Sequence, residues 1–193
     1  MSMELYGEIV KGVGALERRY NSWSLYLMLF CLGAVLYSLY SHINNTWLLS
    51  PPNYILFVLS VLALIFGMKG LKDKRNWLTK TRSWLTISLS SLLSIVLFLA
   101  LSFTFLFSSF GANEHIKKVS SPDNNYTIDF YRWDAGAAGT FGVRGELNGP
   151  LWFKKRIFNE QRMENVDVEW KSKHKVSINN HILTLDEGDT FGY

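Results

Sequence analysis

The stretch Lys69-Gly70-Leu71-Lys72-Asp73-Lys74-Arg75-Asn76-Trp77-Leu78-Thr79-Lys80-Thr81-Arg82 sets six basic side chains against one acid, Asp73. The six are Lys69, Lys72, Lys74, Arg75, Lys80 and Arg82, and long charge-free apolar runs lie on both sides. A basic cluster between two such runs reads as a cytoplasmic loop between membrane spans. Lys and Arg resist translocation and favour the anionic inner leaflet. This loop, 69–83, orients the rest of the chain.

Working backward from the loop, residues 52–68 form a charge-free run opened by Pro51-Pro52 and long enough to span. Ala63 and Gly67 place small residues four apart, so a neighbouring helix can approach closely there. Residues 41–53 contain no Lys, Arg, Asp or Glu and read as an outside connection. Residues 23–40 form a further charge-free run, with Trp23, Tyr37 and Tyr40 as interfacial aromatics. Arg18 and Arg19 precede it and hold its start on the cytoplasmic side. In 1–22, Leu5, Ile9, Val13, Leu16 and Tyr20 recur at helical spacing, which predicts a short amphipathic segment on the inner membrane surface.

Working forward, residues 84–110 form the longest apolar run. Thr86, Ser90 and Ser94 fall on one helical face, where hydroxyls bond their own helix carbonyls or a neighbouring helix. The predicted region 23–111 is thus a three-span unit, with the N-terminus inside and everything after Gly111 outside.

Charge divides the chain in the same way. Residues 1–112 hold nine Lys/Arg and four Asp/Glu, and residues 113–193 hold eleven and twelve, within a total of +4. Mean hydropathy is +0.07, an average of two unlike halves. The basic residues sit beside spans, which argues against nucleic acid as a partner. The one cysteine, Cys31, permits no disulfide within the chain, and the four histidines show no metal-ligand spacing. No cofactor motif is present.

From residue 112 onward the period changes to two. A short first strand is predicted at 117–120, and Ser121-Pro122-Asp123-Asn124-Asn125 is a turn. Tyr126, Ile128 and Phe130 alternate with polar residues in the next strand, and others follow at 140–147, 151–158, 166–170, 176–178 and 182–185. Asn179-Asn180 makes a two-residue hairpin turn. Residues 186–193 read as a loose tail. The fold class is therefore an α+β membrane protein, three transmembrane helices followed by a small antiparallel β-meander domain over 112–193.

Three stretches resemble a known family: Ser121-Pro122-Asp123-Asn124-Asn125-Tyr126-Thr127, Val143-Arg144-Gly145-Glu146-Leu147, and Val168-Glu169-Trp170 with Lys175-Val176-Ser177-Ile178-Asn179-Asn180-His181. Over residues 117–185 the chain is similar to a domain-of-unknown-function family of small Gram-positive bacterial membrane proteins with an exported β domain. The segment Gly70 to Trp77 and the Ser/Leu-rich run after it are similar to multi-span proteins of the same bacteria. The resemblance implies architecture and a plasma-membrane location, and it carries no catalytic residue.

The chemistry available in the exported half is sparse. Gly136 to Gly142 is glycine-rich but lacks the helix and Lys-Ser or Lys-Thr pair of a phosphate loop. Asp129, Asp134 and Glu146 could pair as hydrolytic carboxylates, with Arg144 beside Glu146, or could simply line a solvated sheet face. Lys154-Lys155-Arg156 fits either an anionic surface or a charge-protected edge strand. Tyr131, Trp133 and Trp152 are candidates for an aromatic contact patch. The leading expectation is a membrane protein embedded in the lipid bilayer whose exported β domain binds an envelope protein or peptide. The alternatives are a membrane-anchored hydrolase and a small transporter or immunity-type protein.

Overall fold

The computed structural model describes residues 2–72, 76–109, 113–136 and 139–193. Lys74 and Arg75 of the basic stretch, and Ala137 and Ala138 of the glycine-rich stretch, lie outside the described residues. So do the side chains of Leu5, Ile9 and Val13. Ten elements follow in order. They are α1 (Ser2–Asn44), α2 (Asn53–Gly70), α3 (Trp77–Ser109), β1 (Asn113–Ser120), β2 (Thr127–Asp134), β3 (Phe141–Asn148), β4 (Lys154–Gln161), β5 (Val168–Trp170), β6 (Lys175–Ile178) and β7 (His181–Thr184). Three helical stretches, Gly14–Asn44, Asn53–Gly70 and Trp77–Leu106, are long and apolar enough to cross a membrane. The chain divides into two units. One comprises residues 1–36 and 51–102, and the other comprises 37–50 and 103–193.

In the first unit every helix buries a seam with alternating steps of three and four. The seam is Asn21, Ser24, Met28 and Cys31 on α1, and Leu56, Ser60, Ala63, Gly67 and Gly70 on α2. On α3 it is Ser83, Thr86, Ser90, Leu93 and Leu97. This is the spacing at which helices pack side by side with a slight left-handed twist. Most of these residues are small, which lets backbones approach where lipid offers no hydrophobic drive for association. At Gly70 a Cβ would stand 3.1 Å from Asn21 Cα, so the two backbones approach closely there and a larger residue would have to push Asn21 aside.

Two expectations change here. The segment 1–22 is not a separate helix, because α1 runs without a break for 43 residues. The glycines at 7, 12 and 14 disfavour the helix but do not break it. The basic connection is also shorter than 69–83, because Lys69 ends α2 while Lys80 and Arg82 lie inside α3. At the start of α3 the Thr79 hydroxyl bonds back to the Asn76 backbone. Thr79 Oγ1 donates to the Asn76 carbonyl at 2.7 Å and accepts from the Asn76 amide at 3.4 Å.

The second unit holds two antiparallel sheets, β1-β2-β3-β4 and β5-β6-β7, each in sequence order. One core joins them, with Ile128, Phe130, Val143, Leu147, Ile157 and Phe158 meeting Val176, Ile178, Leu183 and Leu185. Gly145 makes room for it, since a Cβ there would stand 3.0 Å from the Phe130 ring and 3.1 Å from Phe158 Cβ. Asn179 and Asn180 both take positive φ, 48° and 71°, as a two-residue hairpin turn requires.

Strand bounds differ from the pattern reading at both ends of the first sheet. β1 begins at Asn113, four residues early, and β4 occupies Lys154–Gln161 because residues 149–153 are spent on a turn. The final residues are not loose. Phe191 pairs with Phe158 and stacks on His181 at 3.6 Å between ring centres, and Tyr193 Oη donates to the Phe158 carbonyl at 3.4 Å. A tail this polar is held because two aromatic rings find an aromatic surface beside β4.

The α1–α2 connection also belongs to this unit. Leu48 and Lys154 exchange backbone hydrogen bonds at 2.7 and 3.3 Å, which covers the open edge of β4. Trp47 packs against the sheet core, and Tyr37 Oη donates to the Trp47 carbonyl at 2.7 Å.

Candidate binding face

Register decides which charges meet. Across the first sheet, Lys118 is opposite Asp129, Asp129 opposite Glu146, and Glu146 opposite Arg156. The neighbouring row is His115, Tyr131, Arg144 and Asn159, and the row on the other side is Ser120, Thr127, Asn148 and Lys154. Side chains directly opposite share a face, so these residues form one polar surface, and the apolar core lies on the other.

At its centre Glu146 is 9 % exposed. Its Oε1 lies 3.0 Å from Arg144 Nε and 3.9 Å from Arg156 Nε, and its Oε2 lies 3.3 Å from Lys154 Nζ. The Arg144 pairing is ionic contact without an aligned hydrogen bond. The Tyr131 ring lies within cation-π range of both Arg144 and Lys154, 5.7 and 5.5 Å from its centre. Burial works against the charge of Lys154, yet Glu146 and Tyr131 outweigh it and hold the ammonium above its ordinary value. Arg156 goes the other way: burial and then the Arg144 charge push its pKa below the ordinary guanidinium value.

Asp129 is held separately. Burial raises its pKa, but hydrogen bonds from Asn148 at 2.7 Å and His115 at 3.3 Å, with the Lys118 charge, leave it below the usual carboxylate value. Asp134 stands apart at the end of β2, exposed, where it accepts from the Gly136 amide at 2.8 Å.

A recess of about 180 Å³ opens on this face, lined by Trp133, Arg144, Arg156, Asn159 and Tyr193. The Trp133 indole donates to Asn159 Oδ1 at 3.0 Å, which fixes one wall. The Tyr193 phenol is pushed up to about 12 by burial, so it stays a protonated donor at neutral pH. Arg156 also donates to His42 Nδ1 at 2.8 Å, and Arg144 to Asn113 Oδ1 at 3.2 Å. Four cations (Lys118, Arg144, Lys154, Arg156) thus share the surface with two carboxylates. Such a recess can take the oxygen atoms of an anionic group.

The basic triplet 154–156 is split by strand alternation. Lys154 and Arg156 join the polar face, whereas Lys155 reaches the Gly188 carbonyl at 2.9 Å. Trp152 is away from Tyr131 and Trp133, donating to the Leu49 carbonyl at 3.1 Å. Alternation in the sequence places Tyr131 beside Asp129 and Arg144 beside Glu146. It gives no sign of His42, Asn113 or Tyr193, which come from a helix end, a strand start and the tail.

In the first unit, Arg82 Nε donates to Asn21 Oδ1 at 2.8 Å and its Nη2 to Ser22 Oγ at 3.1 Å. Lys69 lies over the Tyr20 ring at 5.1 Å. Arg18, Arg19, Lys72 and Lys80 are exposed. Deeper in the bundle, Ser60 and Ser94 hydroxyls bond at 2.8 Å, and Thr86 donates to the Arg82 carbonyl at 2.9 Å. Ser90 is fully buried and makes no hydrogen bond in the structure.

Residues 78–193 match the model of a family of unknown function, DUF5412. The chain belongs to this family. The matched region runs from the start of α3 through the whole of both sheets, so the family unit includes a membrane-length helix as well as the polar sheet face. No curated protein and no solved structure matches the chain.

Proposed function

We infer that the chain is a three-span protein of a bacterial plasma membrane. Its N-terminus and the basic residues Arg18, Arg19, Lys69, Lys72, Lys80 and Arg82 lie on the cytoplasmic side. The sheet domain faces the exterior and works as a binding module for an envelope protein or peptide that presents an acidic group. The observation that carries the reading is the charge imbalance around the Trp133–Arg144–Arg156–Tyr193 recess. Burial and the nearby Arg144 charge disfavour the charged form of Arg156, and a further anion entering beside it offsets that cost. The support for orientation is the location of the basic residues, together with the attachment of the charge-free 41–53 connection to the sheet domain.

Asp129 opposite Glu146 is the one feature that favours the hydrolase alternative. Against it, hydrogen bonds hold Asp129 below the usual carboxylate value, so it is not poised as a proton donor, and Glu146 is engaged by Arg144, Lys154 and Arg156.

A photo-crosslinking residue placed at Trp133 in the full chain, in native membranes, tests the binding reading. The expected result is a discrete polypeptide adduct that disappears when Arg144 and Arg156 are both changed to Glu. A crosslinker at Ile182, on the second sheet, serves as control. Adducts identical at the two positions, or an adduct indifferent to the arginine changes, would sink the reading.

A further inference from the structure

The β3–β4 turn, residues 149–153, places Leu151 at φ 59° and leaves it 82 % exposed, more than any other large apolar side chain among the described residues. A branched side chain at positive φ is uncommon, and in water this one gains nothing by its position. Its neighbour Trp152 is 38 % exposed, and Leu49 beside it is 44 % exposed.

What brings these groups together is the short segment that joins α1 to α2. Trp152 Nε1 donates to the Leu49 carbonyl at 3.1 Å. Leu48 is hydrogen-bonded twice to Lys154. A Cβ on Gly149 would stand 2.8 Å from the Trp47 ring, so the turn lies directly against the segment. Between Asn44 and Asn53 the segment links two helices that are each long and apolar enough to span. A connection between consecutive spans has one possible level, the surface of the bilayer. The turn fixed to it is therefore at that level too.

We propose that residues 149–153, with Leu49, are a membrane-contact site whose ligand is the interfacial layer of the bilayer. Leu151 enters the boundary between headgroups and acyl chains. Trp152 lies at headgroup level, the depth that suits its amphipathic ring. The contact holds the sheet domain at a fixed height on the membrane, and it does not depend on the anionic ligand proposed for the polar face.

The test uses the full chain in lipid nanodiscs, with Cys31→Ser removing the one native cysteine. Nitroxide labels are attached at Leu151→Cys and, as a water-exposed control, at Ile182→Cys, which replaces a side chain 61 % exposed on β7. Collision with oxygen, which partitions into lipid, is compared with collision with a water-soluble nickel chelate. The oxygen-to-nickel ratio is expected to be several-fold higher at position 151 than at 182. Equal ratios would overturn the proposal. A label at Pro150→Cys keeps Leu151 in place, and adding Leu151→Asp is expected to lower its ratio several-fold; an unchanged ratio would also count against membrane contact. Dipolar broadening between labels at 151 that disappears on dilution with unlabelled chain would assign the patch to a second copy instead.

Discussion

The helix bundle and the sheet domain both bury polar groups, and they do so with different chemistry. In the bundle the buried groups are hydroxyls and one amide, on Asn21, Ser24, Ser60, Ser83, Thr86, Ser90 and Ser94. Ser24, Ser60, Thr86 and Ser94 bond to helix carbonyls or to one another, Asn21 bonds the Thr79 carbonyl and Arg82, Ser83 and Ser90 make no hydrogen bond, and none of the seven is charged. In the sheet domain the group enclosed is Glu146, and it is surrounded by full charges. A hydroxyl can satisfy itself on its own helix backbone at little cost, which suits a segment surrounded by lipid. A carboxylate needs cations and nearby water, which suits a domain in solution. The two regions therefore differ in the solvent for which they are built.

The difference can be broken most strongly in the sheet core. Phe158→Ala removes a fully buried ring that carries Phe191 and His181, and it should destabilise the sheet domain by about 3–5 kcal/mol. In a thermal melt of the full chain in detergent, near-ultraviolet aromatic signal should be lost early while helical signal persists. Simultaneous loss of both would mean that the two regions do not unfold as separate units. Next in size is Glu146→Gln, which leaves Arg144, Lys154 and Arg156 without their shared carboxylate. A cost of about 1–3 kcal/mol is expected for stranding partly buried charged donors. Added salt should recover part of it; a loss insensitive to salt would point to packing.

Ser94→Ala makes the matching change in the bundle. It deletes the Ser60 contact but leaves Ser60 Oγ its bond to the Phe57 carbonyl at 2.8 Å. The expected cost is about 0.6 kcal/mol, read by unfolding in mixed micelles, and several times that value would break the contrast.

The smallest effect is a pH dependence. The Asp129 carboxyl is held below its ordinary value of 3.8 in the folded domain. The ionised form therefore favours folding. Its contribution is complete above the ordinary value and is lost as pH falls through the depressed one. The stability gap between the native chain and Asp129→Asn should be constant near neutral pH and shrink below that range. A gap that widens in acid would reverse the assigned sign.

Much of this contrast is legible in the residues themselves. Charge-free apolar runs, divided by Pro51-Pro52 and by the basic stretch after residue 68, locate the three helices, and period-two alternation after residue 112 locates most strands, because burial in lipid and burial on one sheet face leave different periods. Alternation also pairs Arg144 with Glu146. What it cannot supply is register. That Asp129 stands opposite Glu146, and Glu146 opposite Arg156 beyond a bulge, depends on strand pairing set by turns and by the core. The part played by Tyr193 was hidden for a related reason. Phe191 and Tyr193 lie in a polar, glycine-containing tail, and only the exposed aromatic surface beside β4 gives them a place to dock. The connection after α1 looked like a plain linker because its main attachment, Leu48 to Lys154, is made through backbone atoms that carry no sequence preference.

The central claim is that the sheet domain and the α1–α2 connection share one side of the membrane, opposite the basic residues around Lys72. Single cysteines at Asn44, Lys72 and Ile182, in the Cys31→Ser chain, can be challenged in intact cells with a membrane-impermeant maleimide. The account predicts labelling at 44 and 182 without permeabilisation, and at 72 only after it. Labelling at 72 in intact cells, or protection of 182, would contradict it.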